Sequence, residues 1–324
     1  MRSGRWRRQA AATITALLLK LHPVAAIAQG ASGAAEQEYR QLHLGVEVRL
    51  VLATSDRAAA DAAARAAYAT IAELEQLLSD WRPSSEVRRL GDHPGVWVTV
   101  SVPLFEVSQR ALAVARASAG AFDPAVGPVV ALWRDARRTG VLPPDSAIRR
   151  ARAVSGWRHL HLDRRRHALR LDLPGMRLDF GGIAKGYILD SARSVLRTHG
   201  ITRVLLEAGG DIVLGDPPAG AAGWRVAIAT ASGDTTAFLA NTGIGTSGPS
   251  AQFLELNGVR YSHVLDPRSG RALTRATQAT VVHPVGAMSD ALSTMITVMG
   301  GNAGSRLAKR LGATAVFIHD DQPH

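Results

Sequence analysis

The sequence predicts an α+β fold, because its strands come in antiparallel-looking clusters and do not alternate strictly with helices. Three observations support this prediction. Residues 157–180 contain short strand-like segments separated by turns. Further strand-like runs follow at 203–207, 224–230 and 235–241. The tetrapeptide Leu256-Asn257-Gly258-Val259 carries the Asn-Gly pair that a tight antiparallel hairpin requires.

The other elements follow from hydrophobic periodicity. Apolar residues alternate from Leu44 to Leu52, which predicts a half-buried strand. Asp56 is placed to cap a long helix that carries Ile71 and Leu78 on one apolar face. Pro103 can open a second helix, and Gly120 can end it. The remaining predicted elements, in chain order, are strands within HLHLD, ALRLDL and MRLDF, a helix at 184–198, a strand at 278–283, helices at 287–299 and 303–311, and a strand at 313–319.

The composition is that of an ordinary globular protein, with 46% hydrophobic and 20% charged residues in 324. The formal charge of +11 falls to +6 without residues 1–28, which hold five basic residues and no acidic one. The arginines are scattered and lack interleaved aromatic residues, so we expect no nucleic-acid partner. The chain has no cysteine, which excludes disulfides, thiolate metal sites, cysteine nucleophiles and a lipid-modified N-terminal cysteine.

The N-terminus is typical of an export signal. A basic start at 5–8, an apolar stretch from Ala10 to Leu19 and the small-residue pattern Ala26-Ile27-Ala28 predict a signal peptide at 1–28. The pair Arg7-Arg8 permits a twin-arginine route. Residues 29–40 are interpreted as a linker and 41–320 as the folded domain. We therefore expect a periplasmic protein, soluble or held by an uncleaved N-terminal segment, and not a lipoprotein.

A glycine-rich loop from Gly181 to Gly186 lies at a predicted strand-to-helix junction. Paired glycines let the backbone approach a ligand closely, and a helix start offers N–H groups suited to a phosphate. Lys185, one of only three lysines in the chain, adds a cation on the first turn. The spacing matches neither the dinucleotide fingerprint nor the Walker phosphate loop. The alternative is a tight turn with a surface lysine.

Asp290 and Thr294 are four residues apart on a predicted helix and therefore share one face. A carboxylate and a hydroxyl are hard oxygen ligands that suit Mg²⁺ or Ca²⁺. Two side chains are too few for a closed cage, which fits an ion completed by backbone carbonyls, water and substrate phosphates. The alternative is that Asp290 caps the helix and Thr294 fills the core.

Four further segments carry groups that could take part in chemistry. His263 ends a strand before the turn at 266–270 and could be a general base or phosphate contact, although a strand-end histidine is more often structural. Asp123 could accept from a ligand N–H or cap the next helix. Trp81 could stack on a flat ring or cover a core edge. The segment 207–212 is interpreted as close backbone packing beside the site.

Together, five segments resemble the ApbE family, the FAD:protein FMN transferases: AFDPAVGPVVALW, LDFGGIAKGYILD, LLEAGGDI, HVLDPRSGRA and SDALSTMITVMG. The resemblance runs from about Leu44 to about Ile318. It implies a T-fold-like arrangement of mainly antiparallel sheets with flanking helices, with FAD in a central cleft. The implied reaction transfers FMN from FAD to a threonine or serine hydroxyl of an exported acceptor protein, forming a phosphoester and releasing AMP.

The resemblance also implies roles for individual residues. The metal, Mg²⁺ with Ca²⁺ or Mn²⁺ as alternatives, would be held by the Gly182 carbonyl, Asp290 and Thr294. The implied flavin contacts are Leu44, Trp81, Asp123, Lys185, His263 and Val264. The implied catalytic residues are His263, Lys185 and Asp290, with His263 or Asp266 as the base. The acceptor would carry the motif Asp-x-x-Ser/Thr-Gly-Ala-Ser/Thr and belong to a membrane redox complex.

The chain departs from the family pattern at named positions. Leu44-Gly45-Val46 stands where the family commonly has Met-Gly-Thr, and Trp81 replaces a tyrosine of some relatives. The chain contains no acceptor motif, so we do not expect it to flavinylate itself. Three alternatives stay open: an FAD pyrophosphatase that yields FMN and AMP, a flavin-binding protein without catalysis, and a dinucleotide-dependent oxidoreductase, which the missing fingerprint glycines disfavour.

Overall fold

A computed structural model describes residues 36–230, 233–248, 253–275 and 277–320. The helices are α1 Arg57–Leu78, α2 Glu86–Leu90, α3 Val102–Ala117, α4 Gly127–Thr139, α5 Asp145–Ala153, α6 Ala184–Thr198, α7 Gly286–Met299 and α8 Gly301–Arg310. A 3₁₀ turn spans Trp157–His159. Among the described residues, none of the helices combines the length and apolarity that crossing a bilayer would require. The predicted signal peptide lies outside the described residues.

The strands are listed here in chain order: β1 Glu36–His43, β2 Val46–Ala53, β3 Val98–Thr99, β4 Leu160–Asp163, β5 Ala168–Leu171, β6 Val204–Ala208, β7 Asp211–Leu214, β8 Trp224–Thr230, β9 Gly233–Leu239, β10 Gly243–Ser247, β11 Phe253–Leu256, β12 Val259–Ser262, β13 Leu265–Asp266, β14 Arg271–Ala272, β15 Thr277–His283 and β16 Ala315–Asp320. In the described part of the chain the largest sheet has seven strands in the order β1-β2-β6-β7-β10-β15-β16. Each neighbouring pair is antiparallel. The smaller sheets are β3-β5-β4 and the pairs β8-β9, β11-β12 and β13-β14.

The two faces of the seven-stranded sheet carry different cores. Because successive strand residues point to opposite faces, Leu50 and Val51 of β2 enter different clusters. Leu50 packs in the larger cluster with Ile71 of α1 and Leu292 of α7. Val51 packs in a second cluster with Trp224 of β8. Helices thus cover one face and the β8-β9 hairpin covers the other, which confirms the prediction of an α+β fold with antiparallel sheets.

Local signals in the sequence located several elements well. Asp56 caps α1 by accepting the Ala59 N–H at 2.9 Å. The helix predicted at 184–198 is α6 with those bounds. Asn257 and Gly258 both have positive φ, +52° and +75°, as a type I′ hairpin turn requires. These predictions are confirmed.

Three predictions need correction. Leu44 is not in a strand: with φ of +57° it lies in the β1–β2 turn together with Gly45, and β2 begins at Val46. β1 begins at Glu36, inside the predicted linker, because it pairs with β2 along its whole length. The MRLDF segment at 176–180 is not a strand. Its backbone bonds instead to the loop at 124–127, through Asp179 N–H to Pro124 O at 2.8 Å and Gly127 N–H to Arg177 O at 3.2 Å.

Candidate functional site

Close packing of glycines brings the glycine loop and α7 together. A Cβ atom on Gly186, in the first turn of α6, would lie 2.1 Å from the carbonyl oxygen of Gly286 at the start of α7. A Cβ atom on Gly245 of β10 would lie 2.4 Å from the backbone of Ser289. These contacts are possible only without side chains. The α6 start, the α7 start and β10 therefore meet at one point, although they are far apart in the sequence.

Asp290 of α7 lies at the N-terminus of α6. Its Oδ2 accepts the Gly186 N–H at 3.3 Å, so a carboxylate occupies one of the positions that the sequence predicted for a phosphate. A carboxylate there is favoured by the positive end of the helix dipole. The structure thus joins the glycine loop and Asp290 into one site, and Asp290 is not the N-cap of its own helix, which is Val285.

Three charged side chains meet beside this contact. The Lys185 ammonium lies 2.8 Å from Asp211 Oδ2 and 3.7 Å from Asp290 Oδ1. The closer contact is an ion pair without hydrogen-bond geometry. Asp211 and Asp290 are buried, with 1% and 3% of their surface exposed. When all three are ionised, the cluster has a net charge of −1.

The surroundings shift the pKa of each group in this cluster. Burial, reinforced by the Asp211 charge and opposed by Lys185, raises the pKa of Asp290 to about 7. Burial also raises the pKa of Asp211, against the lowering effect of Lys185. Burial alone would lower the pKa of Lys185, but the two carboxylates outweigh it and raise that pKa above its ordinary value. Lys185 therefore stays protonated. When both carboxylates are ionised, they carry one negative charge that the lysine does not offset and that a further cation would relieve.

Two of the residues predicted to hold a metal, Gly182 and Thr294, lie close together. Thr294 lies one turn after Asp290 on α7, and its Oγ1 is 3.0 Å from where a Cβ on Gly182 would stand. The Thr294 hydroxyl therefore adjoins the Gly182 backbone. No group of three or more histidine or acidic side chains suited to a metal occurs in the described residues. A carboxylate, a hydroxyl and a carbonyl are nevertheless hard donors that fit a magnesium ion sharing its shell with phosphates.

Trp81 is connected to the glycine loop through Arg134. The Arg134 guanidinium lies 4.1 Å from the Trp81 ring centroid and pairs with Asp80 and, at 3.1 Å, with Asp179. Asp179 in turn accepts the Gly181 N–H at 2.8 Å. Burial and the Asp80 charge raise the pKa of Asp179 to about 6. Trp81 is 71% exposed, so one ring face rests on the guanidinium and the other can receive a flat ring.

Asp123 is turned inward. Its Oδ1 accepts the Ala125 N–H at 2.8 Å and its Oδ2 the Trp157 N–H at 3.0 Å. Burial raises the pKa of Asp123 to about 6. The carboxylate thus organises two loops that line a cavity of about 210 Å³, which Arg152, Arg158 and Arg268 also border. A flavin contact by Asp123 stays a prediction; its carboxylate oxygens already have backbone partners.

The other predicted contacts lie on the β12–β13 segment and the first hairpin. His263 is partly buried and follows β12. Val264 is buried against Ala121 and Val298. Asp266, the second candidate base, is occupied, because its two oxygens accept from the Arg268 guanidinium at 2.9 and 3.0 Å. Leu44 is partly buried in its turn. Their flavin contacts stay predictions.

Sequence reasoning missed two residues of the site. Asp211 was interpreted only as part of a backbone-packing segment. Its place directly before the apolar run 212–214 gave no clear signal, because an acid is seldom buried without a charged partner and Lys185 lies far away in the sequence. Arg134 gave no signal, because its partners Asp80 and Asp179 are 54 and 45 residues away in the sequence.

The chain matches known proteins over most of its length. The sequence model of the ApbE family matches residues 44–318. An FAD:protein FMN transferase of Klebsiella pneumoniae is 31% identical over 292 residues, covering 86% of this chain and 88% of that protein. Among solved structures, a variant of the flavin transferase ApbE from Vibrio cholerae has a TM-score of 0.81 and 27% identity, covering 89% of this chain and 95% of that one. The apo flavinyl transferase ApbE of Pseudomonas stutzeri has a TM-score of 0.79 and 28% identity, covering 90% and 92%.

Proposed function

The chain belongs to the ApbE family, and from that premise we propose that it is a magnesium-dependent FAD:protein FMN transferase acting on an exported acceptor protein. The observations that support the proposal are the close approach of Thr294 to Gly182 and the contacts of Asp290 with the Gly186 N–H and the Lys185 ammonium. Such a site suits a dinucleotide whose pyrophosphate carries the charge. Flavin storage alone would need no such oxygen set.

In the proposed reaction a threonine or serine hydroxyl of the acceptor attacks the phosphorus of the FMN half of FAD. A new phosphoester bond forms, the pyrophosphate P–O bond breaks, and its electrons leave with AMP. Transfer of this kind depends mainly on positioning and on stabilising charge. A divalent ion held by Gly182, Asp290 and Thr294 would neutralise charge on the two phosphates. Lys185 adds a fixed positive charge at the same point.

The proton of the acceptor hydroxyl needs a base whose pKa lies near neutrality. Of the two candidates, Asp266 is engaged with Arg268 through both oxygens. We propose His263 as the base, because it lies directly before that turn and an imidazole exchanges its proton near neutral pH. The acceptor would be a protein with the motif Asp-x-x-Ser/Thr-Gly-Ala-Ser/Thr, and we place it in a membrane redox complex.

The test is to incubate the protein with FAD, Mg²⁺ and a domain bearing the acceptor motif, and then to weigh the acceptor. We expect the mass of one FMN phosphoester per acceptor, one AMP released for each, and no product in EDTA. AMP without any change in acceptor mass would identify a pyrophosphatase. Binding of FAD without AMP would identify a flavin-binding protein, and either result would overturn the proposal.

Trp81→Ala should weaken FAD binding, because the exposed ring face is the one available for stacking. A stacked aromatic pair contributes about 0.5–1.5 kcal/mol, so we expect a rise in Kd of about two- to twelvefold, measured by quenching of flavin fluorescence. Trp81→Phe should keep most of the affinity. The matched control is Trp97→Ala, since Trp97 also stacks on an arginine, Arg170, at 5.0 Å. Equal losses at both tryptophans would contradict a role for Trp81 in flavin binding.

We also propose that residues 1–28 direct export and that the mature protein works in the periplasm. The basic start, the apolar stretch and the Ala26-Ile27-Ala28 pattern support this. Mass spectrometry of the protein from a periplasmic extract should give an N-terminus after Ala28 or an intact N-terminal segment. Recovery of the protein only from the cytoplasm would contradict the proposal.

A further inference from the structure

Asp211 has no part in the proposed chemistry, yet it is the nearest charged partner of Lys185. The Lys185 Nζ atom is 2.8 Å from Asp211 Oδ2 but 3.7 Å from Asp290 Oδ1. Asp211 is 1% exposed, so its carboxylate is shielded from the solvent from which FAD and an acceptor would enter. Its direct contact with the charged groups of the site is with the lysine.

The sheet holds Asp211 in place. Asp211 is the first residue of β7, and its Oδ1 accepts the Thr246 N–H of β10 at 3.2 Å. The hydroxyl of Thr246 is in turn hydrogen-bonded to the hydroxyl of Thr280 on β15 at 3.0 Å. The carboxylate is thus fixed by two strands that lie next to each other in the seven-stranded sheet. Its second oxygen faces the ammonium.

This arrangement determines the position of the Lys185 ammonium. Without Asp211, the ammonium would have one buried carboxylate left within reach, Asp290, and would close the 3.7 Å gap to it. A lysine paired directly with Asp290 would compete with any cation for the same oxygen. With Asp211 present, the ammonium is drawn towards the sheet and the Asp290 carboxylate keeps an oxygen available.

We propose that Asp211 is a positioning residue. It holds the Lys185 ammonium near Asp290 but prevents the two from pairing directly, and so keeps the Asp290 carboxylate available to a divalent cation. This inference rests on the proposed function, because it presupposes that Asp290 binds the metal. Asp211 contacts neither substrate nor metal in this account and acts through Lys185 alone.

The test measures Mn²⁺ binding directly, by the electron paramagnetic resonance signal of free Mn²⁺, without substrate. Asp211→Asn keeps an acceptor for the Thr246 N–H but removes the charge that holds Lys185. We expect its Kd for Mn²⁺ to rise about tenfold or more, the size typical of outer-shell changes at metal sites. In a Lys185→Met background, the same substitution should change the Kd by about twofold at most, because no ammonium is left to move onto Asp290.

Asp190→Asn is the matched control. Asp190 is a partly buried acid of the same region that accepts from the Gly286 and Ala287 N–H groups at 3.1 and 3.0 Å and pairs with Arg193, not with Lys185. Its loss should lower the unfolding temperature and leave the Mn²⁺ affinity within about twofold. Thermal unfolding of each variant checks the fold.

Two results would overturn the inference while leaving the proposed function intact. One is an unchanged Mn²⁺ affinity in Asp211→Asn. The other is an equal loss with and without Lys185, which would show that Asp211 acts on the metal by its own charge. If the wild-type protein binds no Mn²⁺, the metal site of the proposed function fails together with the inference. Formation of flavinylated acceptor, measured separately, distinguishes these cases.

Discussion

Replacing Asp290 with asparagine should reduce FMN transfer by at least about 10³-fold, because a metal-stabilised transition state loses several kcal/mol when the ion loses the one charged protein ligand proposed for it. The asparagine keeps an oxygen for the Gly186 N–H, which Asp290 accepts at 3.3 Å, and it leaves the Lys185–Asp211 pair neutral. The protein should therefore stay folded. The measurement is the initial rate of acceptor flavinylation against Mg²⁺ concentration, together with a thermal unfolding curve.

Thr294→Val provides the second half of this prediction, since it removes a hydroxyl that adjoins the Gly182 backbone. We expect it to raise the Mg²⁺ concentration needed for half-maximal rate. The matched control is Thr297→Val on the same helix, whose hydroxyl donates to Ser247 O at 3.1 Å and Ser293 O at 3.0 Å. That control should cost about 1 kcal/mol of stability and leave the metal dependence unchanged. Wild-type rates in Asp290→Asn would contradict the metal role.

Gly186→Ala should destabilise the protein by about 3 kcal/mol or prevent folding, because overpacking against a rigid neighbour is costly. The new Cβ would lie 2.1 Å from the Gly286 carbonyl oxygen, a backbone atom that cannot rotate away. Alanine is intrinsically favoured over glycine in a helix by about 1 kcal/mol, so any destabilisation must come from this contact. Separation of α6 from α7 would also move Lys185 away from Asp290.

The matched control for that substitution is Gly301→Ala, in the first turn of α8. There the new Cβ would lie 3.3 Å from the side chain of Ile318, which can adjust. Chemical denaturation should show little change or a small gain in the free energy of unfolding. Equal stability of the two variants would contradict the view that close packing of α6 on α7 builds the site.

The parts of the fold that follow from local signals could be predicted from the sequence. The bounds of α6 and the turn at Asn257-Gly258 depend on periodicity and on conformations that neighbouring residues dictate. At Leu44, prediction from local periodicity fails. Its alternation with Val46 suggested a strand, but the chain reverses at Leu44 and Gly45 because the preceding residues pair with β2. The strand partner lay in a segment with no hydrophobic pattern.

The residues of the site likewise fall into those that local spacing predicts and those that depend on the packing of distant segments. Asp290 and Thr294 could be placed on one helical face from their spacing alone. The approach of Thr294 to Gly182 depends on the glycine contacts between α6 and α7, and the sequence indicated it only through resemblance. Asp211 and Arg134 owe their positions to strand pairing and to a helix packed across the loop. No short-range pattern encodes such distances.

We propose, above all, that the glycine loop and α7 together form a single site that binds both the metal ion and FAD. The most direct measurement is anomalous diffraction from crystals grown with FAD and Mn²⁺. We expect a manganese peak about 2.0–2.3 Å from an Asp290 carboxylate oxygen, Thr294 Oγ1 and the Gly182 carbonyl oxygen, with the FAD phosphates completing the coordination shell of the ion. A peak elsewhere, or FAD bound in the cleft with no manganese at these three oxygens, would contradict it.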